Sequence, residues 1–208
     1  MRDDPLSRRR TAALAASGLG LIAVCYGLAR FASGLFVPSF RGEFDLDAAT
    51  AGAIASASYL AYCAGIVVAT ALSPRLGARA VAVLAGALAA AGTAAVAAAP
   101  DAVWLATGVA LAGASTGVAS PPLAQAIART VASDRRDRVQ TIVDSGTGLG
   151  VLVSGPVALI AAENWRWAWA AFAILSAAAA LAVSLAVPVA RERSPRQGRG
   201  RRLPPGAV

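Results

Sequence analysis

The sequence predicts an all-α integral membrane protein that crosses the bilayer six times. Apolar residues make up 57% of the 208 residues and charged residues only 14%. A usual soluble domain carries about 25% charged residues. The charges gather in short clusters, and the apolar runs between them are roughly 20–25 residues long, enough for a helix to cross about 30 Å of hydrocarbon. Lipid offers the backbone no hydrogen-bond partner, so runs of this kind are helices.

Residues 1–11 form a polar, basic leader that ends in Arg8, Arg9 and Arg10. The apolar run after it is too long for the core of a cleavable signal peptide, and no small-residue cleavage site follows a short core. It reads as an uncleaved span one, Ala12 to Val37, with Arg30 inside it. Pro38 and the acidic loop Arg41 to Asp47 end that span. Span two covers Ala48 to Leu72 and stops at Ser73-Pro74-Arg75-Leu76-Gly77, a turn signal. Span three, Ala80 to Ala99, is joined by the Pro100-Asp101 turn to span four, Ala102 to Ile127. Arg129 to Arg138 is the most charged internal stretch. Span five, Val139 to Ala162, is Gly-rich, and Glu163-Asn164-Trp165-Arg166 leads to span six, Trp167 to Val189. Residues 190–208, rich in Arg, Pro and Gly, read as a disordered cytoplasmic tail. A membrane domain is therefore expected over 12–189.

Arginine sets the orientation. The leader holds Arg2, Arg8, Arg9 and Arg10; the loop after span two holds Arg75 and Arg79. The loop after span four holds Arg129, Arg135, Arg136 and Arg138, and the tail six more. Only Arg30, Arg41 and Arg166 fall elsewhere. Basic residues mark the cytoplasmic side, which places both termini there, with Trp165, Trp167 and Trp169 in the aromatic belt of the outer interface.

Several function classes fall away. The sequence pI of about 11.1 does not signal nucleic acid, because the Arg residues lie in loops between apolar spans rather than on a polar surface with aromatic partners. There is no His and no Lys. That removes Ser-His pairs, imidazole metal sites, phosphate-loop lysines and Schiff bases. Cys25 and Cys63 have no metal-ligand neighbours and read as small buried apolar residues. No enzyme, metal or cofactor is expected.

Arg30 is the sharpest candidate site residue. A charge inside a span costs about 2.5–3.5 kcal/mol on insertion scales and needs an internal reason. Tyr26 and Gly34 share its face at four-residue spacing. Two readings are open: Arg30 faces a central cavity and binds an anionic group or a coupling carboxylate, or it snorkels to the interface and pairs with lipid, Glu43 or Asp45. Tyr59, Tyr62 and Gln125 are cavity-lining candidates that suit ordinary interhelical hydrogen bonds equally well. Gly113 and Gly117 have the small-xxx-small spacing of close helix packing. In span five, Gly146, Gly148, Gly150 and Gly155 precede Pro156, which removes a helix hydrogen bond and predicts a kink. This segment reads either as close packing or as a hinge.

The order of motifs resembles the N-terminal half of a major facilitator superfamily transporter. Leu72-Ser73-Pro74-Arg75-Leu76-Gly77-Ala78-Arg79 looks like that family's signature loop. Arg75, Gly77 and Arg79 match it; Pro74 stands where the family has Asp, and Thr70 where it has the leading Gly. Gly155-Pro156 is similar to the span-five ending of the family's drug and proton antiporters, with Val151 where another Gly belongs. Trp165-Arg166-Trp167 opens span six as is typical of the family. Tyr26-Gly27-Leu28-Ala29-Arg30-Phe31 through Pro38 resembles span one of a bacterial branch of sugar or drug efflux proteins. Val109 replaces the fourth-span Arg of the proton-coupled antiporters.

The resemblance implies half of a twelve-helix fold, built as two inverted three-helix repeats around a midplane site. It implies transport of a small solute, of efflux type, in a bacterial inner membrane, with the proton as a candidate coupling ion. It also gives Asp144 a gating partner in Arg75 or Arg79; the alternative is a solvated helix-start carboxylate. The chain is expected to be an N-terminal half, a truncated reading frame, or a half-transporter that pairs with a second six-helix half or another chain. Its partners are then membrane lipid and a small molecule, with no nucleic acid. The competing reading is a structural or assembly subunit without transport of its own.

Overall fold

A computed structural model describes residues 7–188. Met1–Leu6 and the expected tail 190–208 lie outside the described residues. Within them the chain is helical throughout, with no strand. Helix α1 is Arg8–Leu35, α2 is the short Val37–Phe44, α3 is Ala48–Ala97, α4 is Ala102–Thr130, α5 is Ser133–Ile160 and α6 is Trp165–Ala186. Five of these, all but α2, are long and apolar enough to cross a membrane.

Helix α3 is too long to be one straight span. Fifty unbroken residues would make a rod of about 75 Å, far longer than a bilayer is thick. Gly77, with φ 81° and ψ 155°, leaves helical geometry inside α3. An L side chain rarely adopts that backbone, and Gly adopts it freely. The turn divides α3 into two apolar limbs, 48–76 and 78–97. The chain thus forms six apolar rods in the order the hydropathy predicts.

Caps and composition explain the helix ends. Ala-rich runs favour helix. Asp47 accepts the Thr50 N–H at 2.7 Å and Asp101 accepts the Trp104 N–H at 2.8 Å, each closing a free donor of the first turn. The sequence-based boundaries differ from the structure at several places. Helix α5 begins at Ser133, inside the charged stretch Arg129 to Arg138 expected as a loop, and the first limb of α3 runs through the expected stop at Ser73-Pro74. Helix α1 begins at Arg8, inside the expected leader 1–11. The expected loop after Pro38 is instead α2, because Pro is favourable in a helix's first turn. In α5 the helix runs through Pro156 as Gly146–Ile160, and its interruption falls at Ser145.

Small residues set the packing. A Cβ added to Gly92 would overlap Ala112, and one on Gly108 would meet Val96, so α4 runs antiparallel to the second limb of α3. Ser58 and Tyr62 of the first limb lie against Gly113 and Gly117 of α4, so that pair runs parallel. Gly146 and Gly150 of α5 lie against Leu19, Ala23 and Gly27 of α1, again in parallel. Helix α6 presents Ala180 to Gly86 of the second limb. Hydrophobic burial cannot drive helices together in lipid, so close backbone approach through small residues takes its place.

One end of the bundle is closed by aromatic rings. Phe36 lies 5.9 Å from Trp169, Phe40 lies 5.0 Å from Trp165, and Trp169 lies 5.8 Å from Phe172. Trp165 and Trp169 are buried here, and of the three tryptophans only Trp167 is exposed as an interfacial belt residue would be. The expectation that all three face the interface is corrected. They alternate along the chain, and the two at four-residue spacing turn inward. Cys25 is buried as expected, but the expected burial of Cys63 is corrected: it is exposed.

Candidate functional site

Helix α1 does not keep α-helical register throughout. Residues 23–31 follow the wider i→i+5 pattern, in which the Ala32 N–H reaches the Gly27 carbonyl. Such π-type stretches are rare and occur frequently at functional sites. This one lies where Gly27 meets the Gly150 backbone of α5, and it carries both Tyr26 and Arg30. On its other side Thr116 of α4 donates to the Cys25 carbonyl at 2.9 Å.

Three helices build the cluster around Arg30. The guanidinium carbon sits 4.2 Å from the Tyr62 ring centroid and 4.5 Å from that of Tyr59, both on the first limb of α3. Phe31 adds a third ring at 5.5 Å. Aromatic faces attract a cation through their quadrupole. Tyr26 shares a 2.8 Å hydrogen bond with Ser120 of α4. The structure therefore brings together Arg30, Tyr26, Tyr59 and Tyr62. Arg30 Nε is buried and has no hydrogen-bond partner.

Among the described residues no carboxylate pairs with this charge. The acidic residues of the membrane domain sit at its helix ends and loops, apart from Asp144. Ion pairs among the described residues join Arg135 to Asp134 at 3.6 Å, and Arg166 to Glu43. Glu43, an expected partner in the snorkelling reading of Arg30, belongs instead to Arg166 and to the Trp165 indole, which donates to it at 2.6 Å. What remains at Arg30 is a stacked cation with free donors, suited to an acceptor brought from outside.

The other expected residues lie apart from this cluster. Gln125 is half-buried on α4, its Oε1 buried and unpartnered, with no hydrogen bond to the Arg30 group. Arg75 and Gly77 occupy the turn within α3, and Arg79 opens the second limb, half-buried. Asp144 accepts from Gln140 at 2.9 Å and makes no ion pair with Arg75 or Arg79. Gly146 and Gly150 are backbone contacts to α1, whereas a Cβ on Gly155 would meet nothing within 4 Å. Pro156 is exposed in the helical run behind it.

Sequence reasoning missed a clasp at the aromatic end. Besides Glu43, Arg166 reaches the Ala99 carbonyl at 2.9 Å and the Ala97 carbonyl at 3.2 Å. Ser39 of α2 donates to the Ala162 carbonyl at 2.9 Å. The three connections at that end are tied together. The signal was an acid and an arginine flanking apolar runs at the same end of the expected topology.

A bundle of long apolar helices around an intramembrane arginine defines a multi-pass membrane protein. The family model for the Major Facilitator Superfamily matches residues 19–207. The chain belongs to that superfamily, as the motif order implied. None of the curated proteins compared with the chain matches it. Its function is accordingly secondary transport of a small solute across a membrane, and it is not an enzyme.

Proposed function

We propose that the chain supplies the six-helix N-terminal half of an efflux-type secondary transporter, with Arg30 and its tyrosines in the central site. The observation that carries this is the Arg30 guanidinium, held between Tyr59 and Tyr62 with Nε buried and unpartnered. A charge kept in an apolar span marks a functional site by default. Tyr26 and Gln125 extend the polar lining. Gly77 and the arginines beside it form the signature loop, and Asp144 joins them in another conformational state.

Helix pairing supports the arrangement as two inverted three-helix repeats. Exchange of spans one, two and three with four, five and six turns the span one–five pair into the span four–two pair. Both pairs occur, both parallel and both packed through Gly. The span three–six contact maps onto itself. The arginine distribution supports cytoplasmic termini, with a basic leader over 1–11, a membrane domain over 12–189 and the start of a central linker over 190–208, and the resemblance of span one to a bacterial branch of efflux proteins supports a bacterial inner membrane. A second six-helix half would complete the cavity, and a proton is a candidate coupling ion.

The test has two arms. Single-Cys variants at Ala48, Asp101 and Arg136, made in a background without Cys25 and Cys63, are labelled with a membrane-impermeant thiol reagent in intact cells. Labelling at 48 and 101 but not at 136 is expected, and labelling at 136 would refute the orientation. Cells expressing the intact transporter are then loaded with a panel of drugs and sugars. Lowered accumulation of at least one solute, lost in Arg30→Ala at normal membrane level, is expected. Fixed-stoichiometry co-purification with other subunits and no change in accumulation would instead favour the assembly role.

A further inference from the structure

We infer that the bundle end carrying Arg10 and Arg79 holds a site for the phosphate headgroup of an anionic phospholipid. A cavity of about 320 Å³ is lined there by Arg10 and Ala13 of α1, Arg79 of the second limb of α3, and residues 185–188 at the end of α6. The Gly77 turn starts the second limb two residues before Arg79 and so delivers that guanidinium to the bundle end. Among the described residues no Asp or Glu lines the cavity. Among the described residues neither arginine takes part in an ion pair. Two like charges facing one cavity repel, and an anion between them reverses the sign of that interaction.

The remaining wall decides which anion. Ala13, Leu185, Ala186, Val187 and Pro188 are apolar. Leu185 is 77% exposed on the outer surface of the bundle, while Val187 is 1% exposed. The wall therefore runs from the interior out to the side that lipid contacts. Free phosphate would satisfy the arginines and leave this wall facing water. A phospholipid places its phosphate oxygens on the two guanidinium forks, which suit bidentate recognition, and lays the start of its acyl chains along Leu185.

The test uses the purified full chain in mild detergent, titrated with phosphatidylglycerol or phosphatidylcholine and read by native mass spectrometry. Two juxtamembrane arginines predict a preference of about thirty-fold for phosphatidylglycerol. Arg10→Gln with Arg79→Gln should remove the preference, and Arg135→Gln with Arg138→Gln should leave it intact. Inorganic phosphate should not displace the bound lipid. Equal retention of the two lipids by the native chain would overturn the proposal, and that comparison needs no variant to fold. Equal loss in the control pair would reduce the effect to net charge and overturn the site. Displacement by inorganic phosphate would assign the cavity to a soluble anion and overturn the lipid.

Discussion

Substitution of Arg30 separates a stability role from a transport role. An Arg within a span costs about 2.5–3.5 kcal/mol on insertion scales, and Arg30 is half-buried with only its Nε fully enclosed. A ring stacked on such a cation returns about 1–2 kcal/mol. With Tyr62 at 4.2 Å and Tyr59 at 4.5 Å, the two rings offset roughly the whole cost. Arg30→Ala removes cost and compensation together, so stability should move by no more than about 1–2 kcal/mol in either direction. Transport should nevertheless be lost, because no other cation lies within the apolar spans to take its place. Arg30→Lys keeps the charge but loses the planar face that stacks on both rings and the bidentate fork. Partial recovery is therefore expected. The assay pairs solute accumulation in cells with membrane level by immunoblot and thermal unfolding in detergent. Full transport by the Ala variant at normal level would refute the central-site reasoning. Unfolding of that variant under conditions the parent survives easily would show instead that Arg30 holds the bundle together. Near-complete recovery by Lys would return the residue to the snorkelling role.

Three further outcomes follow from the packing and the caps. Gly150→Ala would push a Cβ into the Ala23 carbonyl and within 2.8 Å of the Gly27 Cα, so it should destabilise by about 1–3 kcal/mol, whereas Gly155→Ala, facing open space, should be neutral or stabilise by under about 1 kcal/mol; thermal unfolding of the two in detergent checks the contrast. Glu43→Ala should lower stability by about 1–2 kcal/mol, since two charge-assisted bonds are lost but both charged partners are only partly buried; Asp134→Ala, which breaks the looser 3.6 Å pair with Arg135, should change unfolding hardly at all. The Thr50 N–H holds the Asp47 carboxyl below its ordinary value of 3.8. The cap contribution is therefore complete above that value and fades as pH falls through the lower folded value. Hydrogen exchange at the Thr50 amide, corrected for intrinsic pH dependence, should show protection lost only in that acid range and independent of pH in Asp47→Asn.

The sequence made the rods legible because lipid removes most alternatives. A run of some twenty apolar residues can only be a helix in a bilayer, so the apolar helices emerge in the expected order, although α5 starts at Ser133 rather than at the expected Val139. The site was half legible. Arg30 stands out because its charge is anomalous in that setting, and Tyr59 and Tyr62 because they are polar within span two. Their meeting was not legible, since it depends on the π-type register of residues 23–31, which carries Arg30 around relative to an ideal four-residue face. Closeness in sequence makes Glu43 an expected partner for Arg30. The fold instead carries Glu43 across the bundle end to residue 166, and no local pattern encodes that long-range choice.

The glycines of span five show how structure divides what sequence leaves together. By sequence Gly146, Gly150 and Gly155 form one group, either packing or hinge. Gly146 and Gly150 leave no room for a Cβ against the backbone of α1. A segment so close to a neighbouring backbone cannot bend by itself, because interiors are close-packed and respond to shifts as units. Gly155 has open space around it, and Pro156 behind it lacks an N–H to hold the preceding turn. We propose that bending of α5, whose helix runs on through Pro156 in this structure, is confined to Gly155-Pro156. The same seam holds Gly27 in the π-type stretch, in the turn before Arg30. Any rigid-body movement of α5 against α1 would act first on the register that presents the guanidinium. Close packing and site geometry are in this way one feature of the bundle, and a substitution that loosens the Gly27–Gly150 contact should disturb Arg30 without touching it.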